Sequence, residues 1–222
     1  MKNDHPFSVL PADFAAQLFG HARTVALPRN QVLFRAGDAC DGCYRIVEGL
    51  LKVTAAAPSQ RERILAILGP GALVGELSLI DGAARSATVT AIREARLSFV
   101  ERADFEAFAK AHPEVFRHIS AVLARHLRDN NDALVAASFL SVKGRAARAL
   151  LSLAEAFGED VGAGRILIHQ KVSQGDLAAM AGIARENLSR ILQEWMRTAL
   201  IKRLASYYCV ENKAALEREA ES

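Results

Sequence analysis

Cysteine is scarce, three residues in 222, and an odd, low number excludes a disulfide-stapled scaffold. No apolar run approaches the roughly 18 residues that span a bilayer. The first ten residues, MKNDHPFSVL, lack a basic stretch followed by a long apolar one, so no signal peptide is expected and the chain reads as cytoplasmic. Charge of one sign is also missing in bulk: 28 Lys and Arg against 25 Asp and Glu leave a net +3. The C-terminal part has no P-loop, no G-x-S-x-G and no HExxH, so an enzyme is not expected there. A single C-x-x-C, Cys40 to Cys43, supplies two ligands where structural zinc takes four, and no metal site is expected. Its Asp41-Gly42 centre reads as a β-turn, with a redox pair as the other reading. The remaining composition, 51% hydrophobic and 24% charged, is that of an ordinary globular protein with one large or two modest domains.

The positive features begin with texture. Residues 11–20 have helical spacing and stop at Gly20. Short β-rich runs follow (QVLFRAG, CYRIVEGLLKV, RILAILGPGALVG, SATVTAI, ARLSFV), punctuated by glycines, and suggest an all-β sandwich or roll. A helix opens at Asp104 and ends near His112-Pro113, and Pro113 starts a long one. From Ser120 the seam positions Leu123, Leu127, Asn130, Leu134 and Ala137 recur in steps of three and four, a heptad pattern that suits a two-stranded coiled coil. Either the long helix pairs with itself in a dimer or it packs as a core helix on the β-domain. Phe139 to Val142 breaks the pattern and reads as a hinge. The expected division is 1–112, a β-roll with flanking helices; 113–140, the long helix and hinge; and 141–222, a helix-rich C-terminal domain. Residues 140–205 carry ten Lys and Arg against six Asp and Glu, which hints at a polyanionic partner.

Two stretches carry chemistry. In GELSLIDGAARSATV, residues 75–89, one carboxylate (Glu76) and one guanidinium (Arg85) flank the turn-forming Asp81-Gly82. They form an internal ion pair, or they clamp a small hydroxylated anion. In VSQGDLAAMAGIARENLSRILQEWMRTALI, Ser173 and Asp176 resemble a capping box, and Gly182 permits a tight inter-helix turn. A second helix then buries Leu188, Ile191 and Leu192 and shows Arg185, Glu186, Ser189 and Arg190 on its other face. This is a helix-turn-helix, in which arginine can bond guanine and glutamate can accept from cytosine. Glu186 and Arg190 are also spaced for an i,i+4 ion pair. ALIKRLASYYCVEN reads as a β-hairpin wing with Lys202 and Arg203 placed for phosphate. KAALEREAES reads as a short terminal helix.

With GELSLIDGAARSATV in the first part and RENLSRIL in the second, the chain resembles the family of the cAMP receptor protein and FNR, over residues 10–210. The resemblance implies an α+β fold: an N-terminal cyclic-nucleotide-binding β-roll (jelly-roll), a long dimerisation helix and a C-terminal winged helix-turn-helix. It implies a phosphate-binding cassette at Gly75, Glu76, Leu77, Arg85, Ser86 and Ala87, with Glu76 on the ribose 2′-hydroxyl and Arg85 on the cyclic phosphate. It places Asn130 and Asn131 where the family meets the base. Asparagine serves adenine or guanine edges, so 3′,5′-cyclic AMP is favoured and cyclic GMP stays open. Asn130 could instead be a polar seam residue that fixes dimer register. It implies DNA contacts by Ser173, Gln174, Arg185, Glu186, Asn187, Ser189, Arg190, Lys202 and Arg203, on double-stranded palindromes with TGTGA-like half-sites. It further implies a homodimer, RNA polymerase as a partner, and no cofactor beyond the allosteric ligand. Three positions depart from the family pattern: Ala184 at the recognition-helix N-cap, Gly175 in the first short helix, and Ala205 in place of a wing glycine. No cysteine precedes Cys40, against an FNR-type cluster. His21, His112, His118, His126 and His169 are scattered and read as surface or capping residues.

Overall fold

Alternating and β-branched runs build the first half. In the computed structural model, which describes residues 10–56 and 62–222, the chain opens with α1 (Ala12–Phe19) and continues as β1 (Arg23–Leu27), β2 (Val32–Phe34), β3 (Gly42–Ala56), β4 (Glu62–Leu68) and β5 (Leu73–Val74). The first nine residues, read above as lacking a leader, lie outside the described ones. Next come α2 (Glu76–Asp81), β6 (Thr88–Glu101), α3 (Arg102–Ala111) and α4 (Val115–Phe139). The β-rich runs become six antiparallel strands in one sheet, ordered β1-β6-β3-β4, with β2 on β6 and β5 on β3. SATVTAI and ARLSFV are one continuous strand, β6, rather than two. It pairs with β3 from Gly42–Glu101 to Thr54–Thr88, with register shifts near Ile46, Glu48 and Leu50. Such bulges bend and twist a long pair, and that lets two 14- to 15-residue strands wrap a core.

That core has two clusters. Ile46, Leu51, Val89, Ala91 and Leu97 fill the sheet interior. Leu18, Phe19, Cys43, Phe105, Val115 and Ile119 join α1, α3 and the start of α4 to the sheet end. The long helix begins at Val115 because Pro113 and Glu114 form a turn before it.

The second half continues with α5 (Val142–Phe157), β7 (Gly158–Asp160), β8 (Ile166–Ile168), α6 (Gln174–Ala181), α7 (Arg185–Arg197), β9 (Ile201–Leu204), β10 (Tyr207–Val210) and α8 (Lys213–Glu219). Helix α5 is capped by the Ser141 side chain, which accepts from the Gly144 amide at 3.0 Å. Its buried Ala146, Ala147, Leu150 and Leu153 pack in a core completed by Leu177, Leu188, Leu192, Trp195 and Tyr208. A four-stranded antiparallel sheet, β7-β8-β10-β9, flanks the helices. Strand β7 falls where the sequence reads as loop, because Gly158 both ends α5 and starts the pairing with Ile168. The chain divides into two compact units, 1–129 and 130–222, with the division inside α4. Among the described residues no helix is long and apolar enough to cross a membrane.

Candidate functional site

The cassette forms around a glycine. Gly75 has φ 85°, a left-handed conformation, and a side chain there would run into the Arg85 guanidinium. Directly after it Glu76 opens α2, so the stretch between the two charges is a short helix and not the tight loop the sequence suggested. Gly82, also left-handed at φ 71°, ends it. The Ala83 amide donates to Asp81 at 2.9 Å, and the chain returns to Arg85. There the backbone is fastened in both directions: Arg85 N donates to Asp38 O at 2.9 Å, and Gly37 N donates to Arg85 O at 2.8 Å.

Both charges are buried, Glu76 at 7% and Arg85 at 3% exposure. Among the described residues they do not pair with each other. Arg85 donates through Nη1 to Gly75 O at 2.9 Å, and through Nη2 to Gly42 O at 2.7 Å and Asp41 Oδ1 at 2.6 Å. It lies 4.4 Å over the Phe34 ring, and its buried Nε has no hydrogen-bond partner. The Asp41 carboxylate is 60% exposed, so the arginine is tied to a partner that water can replace. Glu76 instead faces His126 of α4, with Nδ1 to Oε1 at 3.5 Å. Ser86 is exposed, Ala87 buried, and Leu77 points outward at 38% exposure.

Three sequence readings change here. Asp41-Gly42 is not a β-turn: Gly42 already pairs in β3, and the turn lies earlier, where Asp38 N donates to Arg35 O. The redox reading of Cys40 and Cys43 loses its chemical basis. Both are free thiols, and Cys43 is 2% exposed, with burial first and the nearby Glu76 charge second pushing its pKa up to about 12. A thiol held neutral at that level is a poor nucleophile. His126 is not a capping or merely surface residue. Its partner Glu76 raises its pKa above the ordinary 6.5, chiefly by hydrogen bonding, against the opposing effect of burial. His126 carried no motif, and Asp41 was read only as a turn residue inside the C-x-x-C. The only prior signal for His126 was its place one helical turn before Asn130.

Along α4 two stripes separate. Val115, Ile119 and Val122 are buried. The heptad positions Leu127 and Leu134 are 62% and 67% exposed, and Ser120, Asn130 and Ala137 are exposed as well, whereas the expected seam residue Leu123 is half-buried against the core of the roll. Asn131 is also exposed.

The C-terminal unit assembles a second constellation. Ser173 caps α6, accepting from Asp176 N at 3.0 Å and donating to its carboxylate at 2.7 Å. Gln174, half-buried, opens α6. Gly182 makes the left-handed turn at φ 63°. Helix α7 then buries Leu188, Ile191, Leu192 and Trp195 and leaves Arg185, Glu186 and Arg190 exposed. Ser189 and Asn187 are half-buried. The expected Glu186–Arg190 pair does not form. Arg190 donates to Asn187 Oδ1 at 2.6 Å instead, an i−3 contact that leaves Glu186 free to project. Lys202 and Arg203 are exposed on β9, but successive strand residues point to opposite faces, so they do not form one joint patch. Ala205 turns the wing at φ 54°, where glycine would be unstrained. Ala184 is the N-cap of α7 and supplies no side-chain bond. Ala184→Ser should therefore stabilise the protein by about 1 kcal/mol in denaturant titration. No gain would mean that the first-turn amides of α7 are already satisfied.

Residues 24–112 match the cyclic nucleotide-binding domain family, and residues 144–219 match the Crp-like helix-turn-helix domain family. The chain is 32% identical over 212 residues to the CRP-like cAMP-activated global transcriptional regulator of Mycobacterium tuberculosis, covering 96% of this chain and 94% of that one. The same fold occurs in FixK2 from Bradyrhizobium japonicum, with TM-score 0.78 and 21% identity over 89% of this chain and 96% of that one. It also occurs in the c-di-GMP responsive regulator CLP of Xanthomonas campestris, with TM-score 0.75 and 21% identity over 91% and 100%. A β-roll with a charged cassette, followed by a winged helix-turn-helix in one chain and matched over nearly its full length, makes this protein a DNA-binding transcription regulator, not an enzyme, of the CRP/FNR family.

Proposed function

We propose that the protein is a homodimeric regulator switched by a cyclic purine nucleotide, with cAMP favoured over cGMP. The observation that carries this reading is the pair of buried, opposite charges that do not neutralise each other. Arg85 is available to a phosphodiester anion through charge-assisted bonds once Asp41 yields. Glu76 is available to a ribose hydroxyl. An anion with an adjacent hydroxyl fits both, and the 32%-identical mycobacterial relative is described as cAMP-activated. Asn130 and Asn131 are assigned to the base by resemblance, since an asparagine presents both a donor and an acceptor. The exposed leucine seam of α4 supports self-pairing. A ligand beside that helix could reset the coiled coil and with it the spacing of two recognition helices. It does so only by its differential affinity for the two states. Arg185, Glu186 and Arg190 would read TGTGA-like half-sites, and RNA polymerase would be a partner on the bound promoter.

Titration calorimetry with cAMP, cGMP and c-di-GMP on nucleotide-free protein tests the ligand. Saturable heat with cAMP, weaker with cGMP, is expected. No heat with either cyclic mononucleotide would refute the pocket reading, and heat with c-di-GMP alone would replace it.

A further inference from the structure

Of the two cassette charges, Glu76 has the less ordinary partner. Its carboxylate is nearly buried, yet the side chain that faces it is a histidine, 38% exposed, on the helix α4 that packs against the roll. A carboxylate has about four lone-pair directions, so one imidazole N–H does not saturate it. We propose that His126 is a ligand-response residue: its imidazole and the ribose hydroxyl share the Glu76 carboxylate, and the charge on His126 sets how tightly the pocket takes a cyclic nucleotide. This rests on the reading that the cassette binds such a nucleotide.

The electrostatics follow from the groups around the imidazole. From α2 comes Glu76; on α4 itself lie Asp129, which favours the cation, and Arg125, which opposes it. Beyond Glu76 stand Arg85 and the Cys43 thiol of β3, which stays neutral. A cyclic phosphodiester keeps its single negative charge throughout the neutral range. With His126 neutral, Glu76 presents an uncompensated charge beside the site an anion must enter. With His126 protonated, that charge is cancelled. An arginine would cancel it at every pH, whereas histidine does so only below its own pKa. That pKa is raised above 6.5 here by Glu76, so the favourable state is full at lower pH and is lost as pH rises through the raised value. Nucleotide binding should in turn raise it further and take up protons near neutrality.

The test is calorimetric titration of cAMP into the full chain at about pH 6 and about pH 8.5, in two buffers of different ionisation heat. Wild type should bind about five- to tenfold more tightly at the lower pH, up to one pKa unit's worth of coupling, with proton uptake. His126→Gln should bind equally at both, and His126→Arg should hold the tighter affinity at both. A second readout needs no ligand. The His126 imidazole, followed by NMR, should titrate above 6.5 in wild type and fall back in Glu76→Gln. A flat wild-type profile, or the same pH dependence in His126→Gln, would overturn the inference while leaving nucleotide binding intact. Absence of binding at both pH values would overturn the ligand reading and this inference with it. An unshifted imidazole would mean that Glu76 and His126 are not coupled and would overturn the inference.

Discussion

Arg85→Ala should lose cyclic-nucleotide affinity by two to three orders of magnitude and, with it, all ligand dependence of DNA binding. Among the described residues the guanidinium is the single buried cation in the β-roll. It is positioned rather than mobile, held by two carbonyls, by Asp41 and by the Phe34 face. Removing one partner of a desolvated charge pair costs about 2–5 kcal/mol, and each 1.4 kcal/mol is a factor of ten in affinity. The same substitution strands the Gly75 and Gly42 carbonyls at about 1–3 kcal/mol each, so the roll itself is weakened. Arg85→Lys separates the two effects: it keeps the charge but loses the fork that reaches three acceptors at once. Lysine should fold and bind weakly. If Arg85→Ala still binds cAMP within threefold of wild type in a folded protein, the anion does not sit on this arginine.

Leu127→Glu combined with Leu134→Glu should convert the dimer to monomers. Both leucines lie on the seam, seven residues apart, and more than 60% of each is exposed in the single chain. Burial is worth about 1.5–3 kcal/mol for a leucine side chain. Two per chain in a two-stranded seam amounts to about 6–12 kcal/mol of association, or at least four orders of magnitude in the dimer constant. Carboxylates facing one another across the seam add repulsion. Sedimentation should report a single species near the 24.0 kDa chain mass. Affinity for a two-half-site duplex should fall to that of one half-site, because the second contact is no longer intramolecular. A persistent dimer would place the interface on another surface.

How much of this was legible in the sequence depends on how local the signal is. Helix-turn-helix, wing and seam were visible because their cues repeat at short range: the Ser173–Asp176 cap, Gly182, and steps of three and four along α4. The cassette charges were visible as residues, but their partners were not. Asp41 lies 44 positions from Arg85 and His126 lies 50 from Glu76, pairings made by β3 and α4 folding onto the roll. Local propensity misled at Asp41-Gly42, where a good turn dipeptide is overridden because Gly42 pairs with Glu101. It misled again at Glu186 and Arg190, where an equally reachable Asn187 takes the arginine. The continuous β6 was missed because the exposed Arg93-Glu94 pair interrupts its apolar pattern, at a place where the pairing with β3 shifts register rather than ends.

Ligand occupancy of the β-roll is expected to govern DNA binding by the recognition helices. Fluorescence anisotropy of a labelled palindromic duplex with TGTGA-like half-sites, titrated with nucleotide-free protein with and without saturating cAMP, measures it directly. Binding should tighten at least tenfold with cAMP, less with cGMP, and by no more than a few-fold on a scrambled duplex. Equal affinity with and without either nucleotide, on protein shown to bind the palindrome, would contradict it.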